Sequence, residues 1–330
     1  MDSVTQAVLG GTVTYAVLGR KIGKRAMLYG AALGTLPDLD VFIDFGGPVE
    51  NMTYHRGVSH SFFVQLLVTP ILAWLMTRFD RASWRRWCVA IYLCFVTHTL
   101  ADMFTVYGTQ MFWPFTDYPF AHAILFIVDP IYTLPLIAAF IGVLVMRSDS
   151  TARKLNASAL IFTTAYLVWS LGAKAWVDQR MQDQLAAQGI QAEVFESSPA
   201  PLTTLLWRGV AVQGDQYFEL YTSVFDRADQ VSIRRYPRGA VALAPFWEAW
   251  RVERLRWFTK GQYSLWRQDN RLYLADLRMG SHGAYVFNFE VARQTDEEWV
   301  LGDFSQVQAP PRMEALPQLF KRILDPSIEL

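Results

Sequence analysis

Hydrophobic residues are distributed unevenly along this chain, and nearly all of the long apolar runs precede residue 178. The last two runs are long enough to cross a bilayer, which takes about 20 apolar residues. The first two are short, so we expect them to form an obliquely packed or re-entrant pair. The runs cover residues 4–19, 26–37, 61–77, 87–104, 123–146 and 155–177. This pattern predicts a membrane α-helical bundle of about six helices over residues 1–177.

The second half of the chain has a different pattern, with short β-rich stretches separated by turn residues. Residues 178–188 predict a short amphipathic helix and residues 246–258 predict another. Asp269 and Asn270 form a turn sequence typical of a β-hairpin. The β-rich stretches are 204–212, 217–225, 263–267, 271–277, 284–291 and 299–304. We therefore predict an α+β domain with an antiparallel sheet over residues 178–330.

Positive charge divides the short loops of the first half into two classes. Arg56 is the only lysine or arginine in the loops 38–60 and 105–122. The other loops are rich in basic residues: Arg20, Lys21, Lys24, Arg25, Arg78, Arg81, Arg85, Arg86, Arg147, Arg153 and Lys154. Basic loops stay on the cytoplasmic side of a membrane. With six crossings, the poorly charged loops and the second domain are then expected outside the cytoplasm.

Overall composition excludes some function classes. The formal net charge is zero, which argues against nucleic-acid binding because that function needs a basic face. Cys88 and Cys94 lie six residues apart in one apolar run. We expect two buried thiols there rather than a disulfide or a thiolate metal site.

Histidine and aspartate residues concentrate at the ends of the apolar runs on the poorly charged side. Four of the five histidines lie between His55 and His122. Imidazole and carboxylate groups are ligands for Zn, Mn or Fe ions, and polar groups beside membrane spans are costly without a function. The metal-ligand candidates are Asp38, Asp40, His55, His60, His98 and Asp102. Because six exceed the ligands of one catalytic zinc, we expect one or two divalent ions, with His122 and Asp129 as supporting residues.

Each candidate also has a purely structural interpretation. His98 and Asp102 are four residues apart and share a helix face, where they could simply hydrogen-bond. Asp38 and Asp40 follow Pro37 and could cap a turn. Arg56 could bind an anionic group such as phosphate, or could reach the lipid headgroups. His282 lies in a Gly-rich stretch and is more typical of a loop residue than of a ligand.

Several motifs together resemble the YdjM-like family of bacterial inner-membrane proteins, which are described as metal-dependent hydrolases. They are Pro37-Asp38-Leu39-Asp40, then His55-Arg56-Gly57-Val58-Ser59-His60-Ser61, then His98-Thr99-Leu100-Ala101-Asp102 with Gly108 and Trp113-Pro114-Phe115. The resemblance covers about residues 1–150 and implies metal-binding roles for the six candidates. One departure is Gln6, which stands where many relatives have a histidine.

These observations predict a multi-pass protein of the bacterial inner membrane with a metal-dependent hydrolase site at its outer face. Its expected substrate is an ester or phosphoester linked to a lipid. Asp40 or Asp102 would serve as the general base and Arg56 would neutralise charge on the substrate. The alternative is a non-catalytic membrane protein with a structural metal site and a partner-binding outer domain. A transporter is disfavoured, because its polar residues would lie near the middle of the bilayer.

Overall fold

Helices fill most of the chain up to residue 187 in the computed structural model, which describes residues 1–296, 298–307, 314 and 316–330. The α-helices are α1 (Ser3–Ile22), α2 (Arg25–Thr35), α3 (Pro48–Tyr54), α4 (Phe62–Met76), α5 (Trp84–Met103), α6 (Pro130–Val145) and α7 (Asp149–Ala187). Two 3₁₀ helices, Pro37–Phe42 and Val58–His60, connect them. Every predicted apolar run therefore contributes to a helix.

The chain divides into two units whose boundary falls inside α7. The first unit contains Met1–Ile43 and Tyr54–Leu171, and the second contains Asp44–Thr53 and Gly172–Leu330. The candidate ligands all belong to the first unit. Residues 178–188 do not form the separate amphipathic helix that we predicted, because α7 continues through Ala187.

Helices α1 and α2 form a closely packed hairpin with glycines at their contact. Gly23 turns the chain with a positive φ of 63°. A Cβ atom added to Gly10 would lie only 2.5 Å from the carbonyl oxygen of Gly30 and 2.7 Å from the Cα of Gly34. Because no side chain fits between the two helices, their backbones touch. This packing fixes Gly34, whose carbonyl contacts the candidate metal centre described below.

The lengths of the helices support fewer membrane crossings than the sequence predicts. Among the described residues, one helix, α7, is long and apolar enough to cross a membrane by itself. The segment Pro48–His60 together with α4 forms a second candidate, bent by 54°, and α6 is apolar but shorter. The six-crossing bundle therefore stays a prediction.

The second unit contains two antiparallel sheets and several short helices. The first sheet has the order β1 (Val194–Pro199), β2 (Leu206–Gln213), β3 (Gln216–Ser223) and β4 (Ser232–Pro237). The second contains β5 (Tyr263–Gln268), β6 (Arg271–Asp276), β7 (Asn288–Thr295) and β8 (Glu298–Leu301), with β9 (Gln306–Val307) also paired to β7. The antiparallel sheet prediction is confirmed.

Short helices complete this unit, and the hairpin turns follow the sequence closely. A 3₁₀ helix (Ala240–Phe246) precedes α8 (Trp250–Phe258), and α9 (Leu316–Arg322) lies near the end of the chain. Asp269 and Asn270 both have positive φ values, 49° and 57°. That conformation is the one an Asp or Asn pair favours in a two-residue hairpin.

Candidate metal centre

Four side chains from three parts of the first unit bring their donor atoms together. Asp38 comes from the 3₁₀ helix Pro37–Phe42, His60 from the second 3₁₀ helix, and His98 and Asp102 from the last turns of α5. One donor atom from each lies within 4.8 Å of all the others. His60, His98 and Asp102 are at most 1% exposed, whereas Asp38 is 19% exposed. Three of the four donor residues are therefore buried, and Asp38 is the most accessible of the four.

The spacing of these donors fits the coordination sphere of a small cation. Asp38 Oδ1 lies 3.5 Å from His60 Nε2 and 3.4 Å from His98 Nε2. Asp102 Oδ2 lies 3.0 Å and 3.5 Å from the same two nitrogens, which are 3.1 Å apart. Ligands about 2.1 Å from a tetrahedral ion lie roughly 3.4 Å from one another. Three of the five donor separations match this length, and the other two, at 3.0 and 3.1 Å, are slightly shorter.

The ring of His98 is oriented for metal binding by the backbone of α2. His98 Nδ1 lies 2.7 Å from the carbonyl oxygen of Gly34, which can only accept a hydrogen bond. The proton of this imidazole therefore belongs on Nδ1, and the lone pair of Nε2 faces the cluster. Metal-binding histidines commonly donate their second ring nitrogen in this way.

The ring of His60 is oriented by Ser59 and Asp40. Ser59 Oγ donates to Asp40 Oδ2 at 2.5 Å and lies 2.8 Å from His60 Nδ1, from which it can accept a hydrogen bond. This arrangement leaves Nε2 of His60 free to face the cluster. Asp40 therefore supports a ligand rather than contributing a donor to the group of four.

Asp40 and His55 form a separate pair beside the cluster. His55 Nδ1 lies 2.8 Å from Asp40 Oδ1, and the backbone N–H of Arg56 donates to Asp40 Oδ2 at 3.0 Å. Burial alone would raise the pKa of Asp40, but its hydrogen bond with His55 and the nearby His60 hold that pKa below its usual range. Asp40 is consequently ionised. Of the six candidates, four converge on one point and these two bind each other.

The second oxygen of Asp102 is held by polar groups from outside the cluster. Arg56 Nη2 lies 3.3 Å from Asp102 Oδ1, Gln6 Nε2 donates to it at 3.1 Å, and the amino group of Met1 also contacts it. Oδ2 is thereby directed at His60 and His98. Gln6, the departure from the family pattern, is fully buried at this position and also donates to the carbonyl of His98.

Arg56 does not extend toward lipid headgroups. Its residue is 5% exposed, and its guanidinium lies between Asp102, Thr105 Oγ1 at 3.3 Å and the ring of Tyr107 at 5.0 Å. Its buried Nε atom has no hydrogen-bond partner among the described residues. A positive φ of 62° at Arg56 accompanies the tight turn that directs this side chain inward.

Of the two supporting residues that the sequence predicts, Asp129 makes its described contacts elsewhere, and the role of His122 stays a prediction. Asp129 caps α6 and accepts a hydrogen bond from Tyr166, so its oxygens are used outside the cluster. His122 and His282 are not members of the four-donor group, and His282 instead stacks on Tyr236 at 3.8 Å. Sequence reasoning missed Thr105 and Tyr107, which follow Asp102 by only three and five residues. The contact from Gly34 is made by its backbone carbonyl, which any residue has, so the sequence gives no sign of it.

Comparisons with known proteins agree with the motifs. The YdjM inner membrane protein family matches residues 1–177, more than half of the chain. The inner membrane protein YbcI of Escherichia coli (strain K12) is 28% identical over 117 residues, which cover 34% of this chain and 68% of that protein. No solved structure matches. The chain belongs to the YdjM inner membrane protein family.

Proposed function

We propose that this protein is a membrane-bound, metal-dependent hydrolase that cleaves an ester or phosphoester of a lipid-linked substrate at the outer membrane–water interface. The observation that supports this most strongly is the set of four donors with metal-like spacing, one of which, Asp38, is 19% exposed. A buried ligand cluster with one accessible side combines a firmly held ion with a path for substrate.

The coordination number separates an active from an inert site. Four protein donors would fill every position of a tetrahedral zinc ion, and such closed sites are structural. An ion that takes five or six ligands, such as Mn or Fe, keeps positions for water and substrate beside the same four donors. If a water molecule or the substrate replaced Asp38 as a ligand, a zinc ion would also gain an open coordination position. When bound, the ion supplies a water of lowered pKa and polarises the scissile group.

The residues outside the donor group provide the remaining functions in this proposal. Asp102 is a ligand, which leaves Asp40 as the general base. Asp40 holds His55 at 2.8 Å, and His55 is 21% exposed, so this pair can pass a proton from the site toward solvent. Arg56 stabilises negative charge on the substrate through its unpartnered Nε atom, while its Nη2 atom contacts the ligand Asp102.

A structural metal site with a partner-binding second unit is the alternative function. The near-complete burial of His60, His98 and Asp102 favours it, because structural sites are closed. In this case the ion would hold α5 against the two 3₁₀ helices, and the free energy of metal binding would contribute to folding.

One experiment distinguishes the two functions. Detergent-purified full-length protein is assayed for bound metals, for thermal unfolding and for hydrolysis of p-nitrophenyl phosphate, p-nitrophenyl acetate and phosphatidic acid. A hydrolase loses metal and turnover in His60→Ala while its melting temperature changes little. If the site is structural, the same variant loses its bound metal and melts at a lower temperature, and the wild-type protein shows no turnover. Asp129→Asn is the matched control, because Asp129 is equally buried but caps α6.

A further inference from the structure

The loop that carries Asp38 and Asp40 has an unusual outer face. Asp40 is 7% exposed, but the neighbouring Leu39, Val41, Phe42 and Ile43 are 50%, 62%, 82% and 54% exposed. No charged residue lies between Asp40 and Asp44. One short segment thus presents carboxylates to the metal centre and large apolar side chains to the outside.

A second loop of the first unit has the same character. Phe62 N–H donates to the carbonyl of Met111, and Ser61 Oγ donates to the carbonyl of Trp113, so residues 111–113 pack on the His60 loop. Two residues further on, Phe115 is 78% exposed and contacts Phe63 edge to face at 4.9 Å. We call Leu39, Val41, Phe42, Ile43 and Phe115 the apolar rim.

The chemistry of the apolar rim identifies what covers it. Large exposed apolar side chains that follow one another in a segment, as in residues 39–43, mark protein or membrane contacts rather than ordinary surface. The helices of the same unit expose similar side chains, including Leu67 at 72%, Ile71 at 65% and Ile161 at 70%. In a member of an inner membrane family these helical surfaces face lipid. The rim repeats their composition outside the long α-helices, on a short 3₁₀ helix and the loops beside it.

We infer that the apolar rim is inserted into the bilayer, so that the metal centre opens toward lipid acyl chains and receives a lipid substrate from within the leaflet. The insertion rests on the exposed side chains alone, whereas delivery of a substrate rests on the proposed hydrolase function. The accessible donor, Asp38, lies next to Leu39 of the rim. A lipid with its chains against the rim would therefore present its headgroup to the ion.

Site-directed spin labelling of the full chain tests the insertion. A nitroxide is attached at Phe42→Cys in a Cys88→Ala background, because Cys94 is fully buried. The protein is reconstituted into vesicles of phosphatidylethanolamine and phosphatidylglycerol, and collision rates with oxygen and with a water-soluble nickel chelate are measured. The controls are Ile161→Cys on the long apolar helix and Gln268→Cys on the exposed β5–β6 hairpin. Oxygen-dominated collisions at position 42, as at 161, are expected, and nickel-dominated collisions, as at 268, would overturn the insertion.

A kinetic comparison tests the delivery of substrate. The specificity ratio is kcat/KM for phosphatidic acid in vesicles divided by kcat/KM for p-nitrophenyl phosphate. We expect Phe42→Asp to lower this ratio at least tenfold and Phe225→Asp, at a 61% exposed position of the second unit, to leave it unchanged. An unchanged ratio in Phe42→Asp would overturn delivery from the leaflet. If the wild-type protein hydrolyses neither compound, the phosphoester hydrolase proposal fails, and the spin-label result still decides the insertion.

Discussion

The Nε2 atoms of His60 and His98 face each other at a distance of 3.1 Å, although the two histidines lie 38 residues apart in the chain. The Nδ1 proton of His98 is directed at Gly34, and the Nδ1 atom of His60 is directed at Ser59. Two imidazole lone pairs that converge in this way repel each other unless a proton or a metal cation lies between them. The surrounding oxygens of Asp38 and Asp102 supply the negative charge that such a cation needs.

The two histidines of one loop should therefore differ in their effect on metal binding. His60→Ala removes one of four donors, and we expect metal affinity to fall on the order of 100-fold or more. His55→Ala leaves all four donors in place and should change affinity by less than about tenfold. Isothermal titration of the metal-free protein with Zn and with Mn measures both. Equal losses in the two variants would contradict the assignment of His55 outside the cluster.

Ser59 provides a test of the orienting contacts. Its hydroxyl lies between Asp40 and the Nδ1 atom of His60, so Ser59→Ala frees the His60 ring to rotate. Loss of such a contact lowers metal affinity about 10- to 100-fold. Thr97→Ala removes a hydroxyl of similar size next to His98, but this hydroxyl bonds only carbonyls of its own helix. A comparable loss in Thr97→Ala would mean that general packing, rather than orientation of His60, controls the site.

The hydrolase proposal makes a distinct prediction for Arg56. Arg56→Lys keeps a positive charge beside Asp102 but removes the planar guanidinium and its buried Nε atom. We expect turnover to fall at least about tenfold while metal content changes less than about twofold. Steady-state kinetics with metal analysis on the same samples measures both. Unchanged turnover in Arg56→Lys and Arg56→Ala would remove Arg56 from the proposed mechanism.

Membrane orientation is a further prediction, because it rests on the charge of the short loops. Ser83 lies in a basic loop and is exposed, as is Gln268 in the second unit. The basic bias predicts that a membrane-impermeant maleimide labels Gln268→Cys in intact cells, whereas Ser83→Cys is labelled only after lysis. The reverse pattern would place the metal centre and the second unit on the cytoplasmic side.

Much of the fold follows from local sequence patterns. The apolar runs locate the helices of the first unit, because hydrophobic periodicity acts over a few residues. Asp269-Asn270 predicts its hairpin because turn preferences are also local. The sequence does not predict the full extent of α7, because its last turns alternate polar residues with buried ones, such as Met181 and Leu185, that pack in the core of the second unit.

The candidate site was predictable in composition but not in arrangement. The four-residue spacing of His98 and Asp102 places both on one helix face, and the structure uses that spacing. Nothing local distinguishes Asp38 from Asp40, or His60 from His55, because each pair lies within a loop of the same composition. Their division into ligands and supporting residues depends on Ser59 and on the carbonyl of Gly34, which are brought there by tertiary packing.

The most direct test of the metal centre is an anomalous difference map from crystals of the protein grown with Zn or Mn, measured at the absorption edge of the metal. We expect a single dominant peak about 2.0–2.2 Å from Nε2 of His60, Nε2 of His98 and one carboxylate oxygen each of Asp38 and Asp102. A peak elsewhere, or no peak among these four residues at saturating metal, would contradict this expectation.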